Sequence, residues 1–357
     1  MQRRGRFSVR SSAAAIIGSN DDLLIELLIF FPAKSLIKFQ LVSKQWQSVI
    51  SSPSFRHLHT LHYNRRPKPQ TSLLLRFSSS FFICHPTFKR LVPFSGFQHV
   101  DVLQSCNGLL LLRCGRKSCY VFNPTTMQAR DLRPPKAFIG LCLAFDPSKS
   151  PHYKVFCFRS HIVLSVSVSV YESETHAWTD RPVESCLEVG RFCDGVYWNG
   201  SVYFIKSHGT SRRFSLEDER VYRLPISPRA MSKKHHIIET NGHMHSVLLS
   251  DNYLYVYELS DVDFGWSTKY FADLKPVWAT FGAENRSRIS LLGMIREERV
   301  ENSMLLVHVP GKIMIYRFLT KTFEVLVDLS RESYFEEGRL QFDFWTAHQF
   351  IESLAPV

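Results

Sequence analysis

Four histidines beside an Asn-Gly pair are the first residues in this sequence that are suited to chemistry, because imidazole is the commonest protein ligand of transition metals. The Asn-Gly pair lies at 241–242, and the four residues are His235, His236, His243 and His245. Asn-Gly is a strong signal for a two-residue hairpin turn. The histidines therefore belong to two adjacent strand ends, where side chains in contact with water are expected. We predict solvated histidines here and no metal site.

Neighbouring carboxylates are a second candidate, since two carboxyl groups at short spacing can act as general acid and general base. Glu217, Asp218 and Glu219 are adjacent, but they fall in a polar turn where solvated charge is expected. The sequence also lacks the G-x-G-x-x-G, P-loop, G-x-S-x-G and H-E-x-x-H motifs. We predict no catalytic residues and no cofactor. The alternative is a hydrolase whose Ser, His or Asp residues follow none of these motifs.

An apolar stretch near the start of the sequence is better suited to binding a protein than to chemistry. Two aspartates at 21–22 precede the run LLIELLIFF at 23–31, and Pro32 follows it. Acidic residues favour a helix start, and proline disfavours helical conformation in the residue before it. The run therefore predicts a helix that is apolar nearly all round, and such a helix has to be buried on more than one side.

Further short helices follow in the pattern. One extends from about Lys34 to Val42, one carries Trp46, and one begins after the N-cap Ser52. A unit of about 40 residues is too short to bury its own apolar surface without a staple or a partner, and this stretch contains no cysteine. We therefore expect the unit to bind another protein. The alternative is a small helical cap packed on the next domain.

The same residues resemble the F-box in its plant form. The resemblance is carried by Pro-x-Lys-Ser-Leu at 32–36, Phe39, Lys-x-Trp at 44–46 and Ile-Ser-Ser-Pro-x-Phe at 50–55. Ser19–Asn20 stand in place of the Leu-Pro pair that opens the motif, and either residue can cap the first helix. The resemblance implies binding to a Skp-type adaptor and, through it, to a cullin and a RING protein. We expect adaptor binding to depend on eight residues, some by contact and some through the core of the module: Leu23, Leu27, Leu28, Pro32, Leu36, Phe39, Val42 and Trp46.

From about residue 70 the sequence predicts strands, because short runs rich in Val, Tyr, Phe and Leu alternate with turn residues. A faint repeat places an aromatic residue before a polar turn, in steps of 40, 49, 43, 43 and 59 residues. A period of about 40 to 50 residues is typical of propeller blades. We predict an α+β multidomain chain whose β region is an irregular six-bladed propeller. The repeated aromatic residues are Phe82, Phe122, Tyr171, Phe214, Tyr257 and Tyr316.

This region resembles the F-box-associated domain of plant F-box proteins. The resemblance is carried in order by Ser-Cys-Asn-Gly-Leu-Leu at 105–110, Asn-Pro-Thr-Thr at 123–126, Phe-Asp-Pro at 145–147 and Phe-Ile-Glu-Ser-Leu at 350–354. It implies a target-recognition subunit of an SCF-type ubiquitin ligase that performs no bond chemistry itself. The target protein would bind loops at one end of the propeller. The predicted organisation is a disordered basic tail (1–19), the F-box module (20–62), a linker (63–72) and the β domain (73–357).

A net charge of +12 and a pI near 9.4 make nucleic-acid binding the main rival. The basic residues cluster at 3–4, 65–68, 212–213 and 233–234, which the pattern assigns to tail, linker and turns. Aromatic residues do not interleave with them as they would in a nucleic-acid surface. The alternative function is a basic propeller that binds RNA or serves as a scaffold without ubiquitin-ligase association.

The eight cysteines show no C-x-x-C spacing, and we expect reduced thiols. No apolar run approaches the length of about 18 residues that a membrane-spanning helix needs, so we expect no membrane span. We therefore expect a cytoplasmic or nuclear protein without a membrane partner. The first twenty residues contain four Arg and no acid. We interpret them as a disordered tail, and an organelle transit peptide is the alternative.

Overall fold

A group of helices precedes six four-stranded β-sheets in the computed structural model of this chain. The predicted tail at 1–19 lies outside the described residues, as do residues 65–71 of the predicted linker. The structure describes residues 20–64, 72–77, 80–85, 88–93, 100–115, 118–136, 138–161, 165–181, 195–204, 211–225, 235–250, 252–281, 289–297, 299–329 and 347–357.

Side-chain caps mark where the N-terminal helices begin. Asn20 Oδ1 accepts hydrogen bonds from the N–H groups of Asp22 (2.9 Å) and Leu23 (3.3 Å), as predicted for this position. Ser43 Oγ accepts from the N–H of Trp46, and Ser52 Oγ caps the fourth helix in the same way. The four helices are α1 Asp21–Leu28, α2 Ala33–Phe39, α3 Lys44–Ser51 and α4 Pro53–Asn64.

The second helix is shorter than the sequence predicted. It ends at Phe39, and Leu41 and Val42 lie in the turn that leads to α3. Ser43 has to be extended (φ −158°, ψ 163°) to cap α3, so the chain leaves helical conformation before it reaches this residue. As a result Leu41 and Val42 are exposed on the surface of the module.

Each of the six sheets is an antiparallel blade of four strands. A single helix, α5 Lys275–Phe281, lies between the fifth and sixth blades in the described part of the chain. In chain order the strands are β1 Ser72–Phe77, β2 Ser80–His85, β3 Phe88–Pro93, β4 Val100–Cys106, β5 Leu109–Cys114, β6 Ser118–Asn123, β7 Gln128–Asp131, β8 Phe138–Ala144, β9 Lys154–His161, β10 Ser165–Glu172, β11 Ala177–Arg181, β12 Val196–Trp198, β13 Ser201–Phe204, β14 Ser211–Ser215, β15 Val221–Leu224, β16 His235–Thr240, β17 His243–Leu249, β18 Tyr253–Leu259, β19 Trp266–Asp273, β20 Ser290–Ile295, β21 Met304–Val309, β22 Lys312–Arg317, β23 Thr322–Asp328 and β24 Ala347–Phe350.

The ring closes through the first blade. Blade 1 has the order β24-β1-β2-β3, and the other five blades each use four consecutive strands. Strand β24 pairs with β1 from Ser72↔Phe350 to Leu75↔Ala347. It also contacts the inner strands β20 and β4 of the two neighbouring blades. The six-bladed propeller is confirmed. The aromatic-rich sequence at 345–350 favours closure of the last blade, and this expectation is wrong for Phe350, because β24 pairs with the free edge of β1 and completes the first blade.

The repeated aromatic residues identify equivalent positions in the blades. Each of the six lies on the third strand of its blade, and each is at most 6% exposed. The hairpin turns at 107–108, 199–200 and 241–242 likewise join the first and second strands, with positive φ at both residues of each pair. The weak repeat in the sequence therefore reflects one supersecondary unit used six times.

The described cysteines are free thiols, and five of these six are buried. Burial raises the pKa of Cys106, Cys119 and Cys157 to about 12, because it disfavours the thiolate. Cys186 and Cys193 lie outside the described residues. Among the helices that the structure describes, none has both the length and the apolar character needed to cross a membrane.

Candidate protein-binding surfaces

Two of the four histidines beside the 241–242 turn, His243 and His245, contact the carboxylate of Glu258. Glu258 Oε2 is 3.2 Å from His245 Nε2, and Glu258 Oε1 is 3.5 Å from His243 Nδ1. Lys269 and Arg296 also reach Glu258, each at 3.4 Å. No group of His, Cys, Asp and Glu in the described part of the chain is arranged to hold a metal ion. These residues form an ion-pair cluster that joins blade 5 to Arg296, which follows the first strand of blade 6.

The expectation of solvated histidines is wrong for His245, which is completely buried. His245 lies directly opposite Glu258 in the register of β17 and β18. A buried polar group needs a partner, and this register supplies one. For the acidic turn at 217–219 the sequence predicted solvated charge, and Glu217 and Asp218 are indeed exposed.

The Glu258 cluster predicts an acid-dependent loss of stability. Desolvation raises the pKa of Glu258, but the hydrogen bond from His245 and the charge of Arg296 outweigh it and lower the pKa to about 2. A carboxylate with a lowered pKa stabilises the fold above its unfolded pKa of about 4.5, and this contribution is lost as the pH falls toward 2. We expect Glu258→Gln to lower the free energy of unfolding by about 1 to 2 kcal/mol at neutral pH, after allowance for solvent screening.

Chemical denaturation of both proteins between pH 2 and 7 measures this difference. The stability difference should shrink as the pH falls from about 4.5 to 2. Glu174→Gln is the matched control, because Glu174 is exposed in the turn between β10 and β11. A difference between wild type and Glu258→Gln that stays constant over this pH range would contradict the role assigned to the cluster.

The eight residues expected to support adaptor binding occupy two environments. Leu28 and Leu36 are completely buried in the core of the helical module. Phe39 and Trp46 are half-buried and pack against that core. The other four, Leu23, Leu27, Pro32 and Val42, are exposed.

Trp46 contributes to the module through an aromatic chain. Its ring centroid is 5.6 Å from that of Phe39, and the Phe39 centroid is 5.2 Å from that of Phe31, both edge to face. Trp→Ala at a buried site costs about 3 to 5 kcal/mol, and a half-buried ring contributes less. We expect Trp46→Ala to destabilise the module by about 2 to 3 kcal/mol, measured by amide hydrogen exchange in α1 and α3. Leu41→Ala, at an 89% exposed position, is the control; equal exchange in both variants would refute this packing role.

The structure adds exposed apolar residues that the sequence analysis did not assign to the binding surface. Phe30 is 62% exposed and Leu41 is 89% exposed, and Leu58 on α4 is also exposed. Gln45 Nε2 donates to Asp21 Oδ1 at 2.8 Å, which joins the start of α3 to the start of α1. The turn with Leu41 and Val42 therefore lies at the same end of the module as Leu23. Helical periodicity could not single out Leu41, because this residue lies in a turn.

A groove in the propeller that is lined by several charged side chains is a second candidate surface. It has a volume of about 560 Å³ and lies between blades 3 and 4, at the end of the propeller that carries the 199–200 turn. Its lining includes three cations and two carboxylates, which are Lys149, Lys154, Arg213, Asp146 and Glu217. Both signs of charge are present, so the groove suits a polar protein segment better than a polyanion.

One of the four basic clusters, the pair at 212–213, lies in the described part of the chain. The pairs at 3–4 and 233–234 and the cluster at 65–68 lie outside the described residues. In the pair at 212–213, the Arg213 guanidinium carbon lies 4.6 Å from the ring centroids of both Tyr222 and Phe264. Arg213 is therefore stacked within the fold, where it joins blade 4 to blade 5.

Comparison with known proteins finds two families that match different parts of the chain. The family described as "F-box domain" matches residues 20–58, and the family described as "F-box associated beta propeller domain" matches residues 78–259. The chain is 31% identical to "F-box protein At5g07610" of Arabidopsis thaliana, and the match covers 100% of this chain and 96% of that protein. It is 28% identical to "F-box protein At5g03970" of the same plant, with 57% and 58% covered. Among solved structures it is similar to TolB from Acinetobacter baumannii, with 10% identity, a TM-score of 0.48, and 86% of this chain and 73% of that chain covered.

Proposed function

The chain belongs to the plant F-box proteins with an F-box-associated β-propeller, and from this premise we propose that it is a target-recognition subunit of an SCF-type ubiquitin ligase. The helices 20–64 would bind a Skp-type adaptor, which links them to a cullin and a RING protein. The propeller would hold a target protein. The subunit would act by proximity, since it keeps the target near the ubiquitin-charged enzyme and performs no bond chemistry itself.

The exposed apolar residues of the helical module are the observation that carries this proposal. Leu23, Leu27, Phe30, Leu41 and Val42 are each between 38% and 89% exposed in a unit of fewer than 50 residues. Exposed apolar residues that cluster on one small unit mark a site of protein interaction. Burial of this apolar surface against a partner would favour association, because it removes the surface from water.

The propeller supplies the second binding surface in this proposal. Propeller blades form rigid walls, and the loops at their ends vary and carry binding residues. The groove between blades 3 and 4 is a candidate contact for the target, because its mixed charges suit a polar protein segment. We propose a cytoplasmic or nuclear location for this activity, where the described thiols stay reduced.

Reconstitution with a purified Skp-type adaptor and cullin tests the proposal. The full chain should form a stable complex with both proteins at physiological salt. Heparin is added as a competing polyanion, because a chain with a net charge of +12 attracts acidic proteins without specificity. Loss of the complex in heparin, or no complex at all, would overturn the ligase assignment. Binding to RNA that survives physiological salt would favour the nucleic-acid alternative.

A further inference from the structure

The segment that follows β24 is buried at residues 353–355, where it lies between the helical module and blade 2. Leu354 is 0% exposed and belongs to the core of the module, together with Leu24, Leu36 and Phe55. The next residue, Ala355, is also 0% exposed and belongs to the core shared by blades 2 and 3. Two adjacent residues of one segment therefore complete two different hydrophobic cores.

Polar contacts from blade 2 hold this segment in place. Asn123 Nδ2 donates to the carbonyl oxygens of Ser353 (3.0 Å) and Ala355 (2.8 Å). The amide oxygen, Asn123 Oδ1, accepts a hydrogen bond from the N–H of Thr125 at 2.8 Å. Thr125 Oγ1 in turn accepts a hydrogen bond from the N–H of Ser353. Asn123 is completely buried, so each of these bonds satisfies a group that water cannot reach.

The hairpin turn at 107–108 leaves room for the segment only because it contains glycine. Gly108 has φ +89°, a conformation that other residues rarely adopt. A Cβ atom at this position would lie 2.4 Å from Ser353 Cβ and 2.8 Å from the carbonyl oxygen of Ile351. Two turns of blade 2, the one at 107–108 and the one after Asn123, therefore contact the segment.

Helix α4 contacts the same place from the opposite side. Thr60 Oγ1 lies 3.5 Å from Ser353 Oγ, and Arg56 Nη1 donates to Gln128 Oε1 of β7 at 3.2 Å. The helical module is therefore packed on the propeller and still presents an exposed apolar surface. The two interpretations of the apolar stretch, a binding module and a cap on the next domain, apply to different faces of one unit.

We propose that residues 353–355 lock the helical module onto blade 2, so that the two domains move and unfold as one rigid unit. If the module rotates away and the segment stays on blade 2, Leu354 is pulled out of the helical core. If the segment moves with the module, Ala355 is exposed and the hydrogen bonds of Asn123 break. One consequence rests on the proposed function: in a ligase complex, the lock would fix the orientation of the bound target relative to the adaptor.

The test compares the free chain with Leu354→Ala and Asn123→Ala, one variant on each side of the lock. Scanning calorimetry of the wild type should show one transition, whereas both variants should show two. Amide exchange in α1 and α3 should become at least about 30-fold faster in Leu354→Ala, because a core leucine is truncated. Leu319→Ala, at a 60% exposed position, is the matched control and should behave as the wild type.

Two separate transitions in the wild type would overturn the lock. Unchanged calorimetry and unchanged exchange in both variants would overturn it as well. If Leu354→Ala does not fold, Asn123→Ala decides the question alone, because this residue lies outside the core of the helical module. All measurements use the chain without adaptor, so a failure of adaptor binding would refute the proposed function and leave this test unaffected.

Discussion

A chain that ends at Ser330 is expected to lose the whole propeller and not only its last strand. The truncation removes β24, which supplies the inner strand of blade 1 and contacts both neighbouring blades. It also removes Phe350, which is 1% exposed in the core between blades 1 and 2, and Leu354 from the core of the helical module. An open ring would expose apolar sheet faces on blades 1 and 6.

The expected loss exceeds what a marginally stable domain can tolerate. Native domains are stable by only about 5 to 15 kcal/mol, and removal of one buried Phe side chain already costs about 3 to 5 kcal/mol. We therefore expect the truncated chain to aggregate or to show no cooperative melting transition. The measurements are size-exclusion chromatography and circular dichroism on heating. A soluble monomer with the wild-type melting temperature would show that β24 is not needed for closure.

A point variant separates closure from simple chain shortening. Phe350→Ala should lower the free energy of unfolding by about 3 to 5 kcal/mol, because the ring is buried between two blades. Phe271→Ala is the matched control, since this phenylalanine is also in a strand but is 49% exposed. The control should cost much less. Equal destabilisation by the two substitutions would contradict the role of Phe350 in closure.

Val42→Glu is expected to abolish capture of a Skp-type adaptor while the fold survives. Val42 is 61% exposed in the turn between α2 and α3, so a charge at this position meets water in the free chain. In a complex the same carboxylate would be desolvated against an apolar surface. A buried unpaired charge and a lost contact at the centre of an interface cost about 3 kcal/mol or more, which weakens binding by at least about 100-fold.

Surface-based binding kinetics against the purified adaptor measure this effect, and a melting curve confirms that the variant is folded. Val262→Glu is the matched control, because Val262 is 87% exposed in a turn of blade 5, far along the chain from the helical module. The control should bind as the wild type does. Undiminished binding by Val42→Glu would show that this turn lies outside the adaptor surface and would weaken the assignment of the other exposed residues.

Much of the fold follows from signals that act over a few residues. Side-chain caps at Asn20, Ser43 and Ser52 and the proline at Pro53 mark helix starts, because they satisfy or remove backbone N–H groups of the first turn. The Asn-Gly pairs predicted hairpins, because both turn residues need positive φ. The aromatic repeat predicted six blades, because each blade reuses the same buried position on its third strand.

The sequence pattern distinguishes the predicted binding residues from the core residues of the helical module only in part. Leu27 and Leu28 are adjacent and chemically identical, yet the first is 44% exposed and the second is completely buried. In a helix with apolar residues nearly all round, periodicity does not say which side another helix covers. The packing of α1 against α3 decides this, and the sequence has no separate signal for it.

The sequence by itself determined most of the local elements, the number of blades and the resemblance of both regions to known families. The tertiary structure alone decided three features: the pairing of β24 with β1, the hydrogen bond between His245 and Glu258, and the insertion of Leu354 into the core of the helical module. Each of these joins residues that no helical or strand period relates. Pairing of β24 with β1 joins the two ends of the β region, and Leu354 packs against helices at the other end of the chain. Contacts of this kind depend on the arrangement of the whole chain, so no short stretch of sequence encodes them.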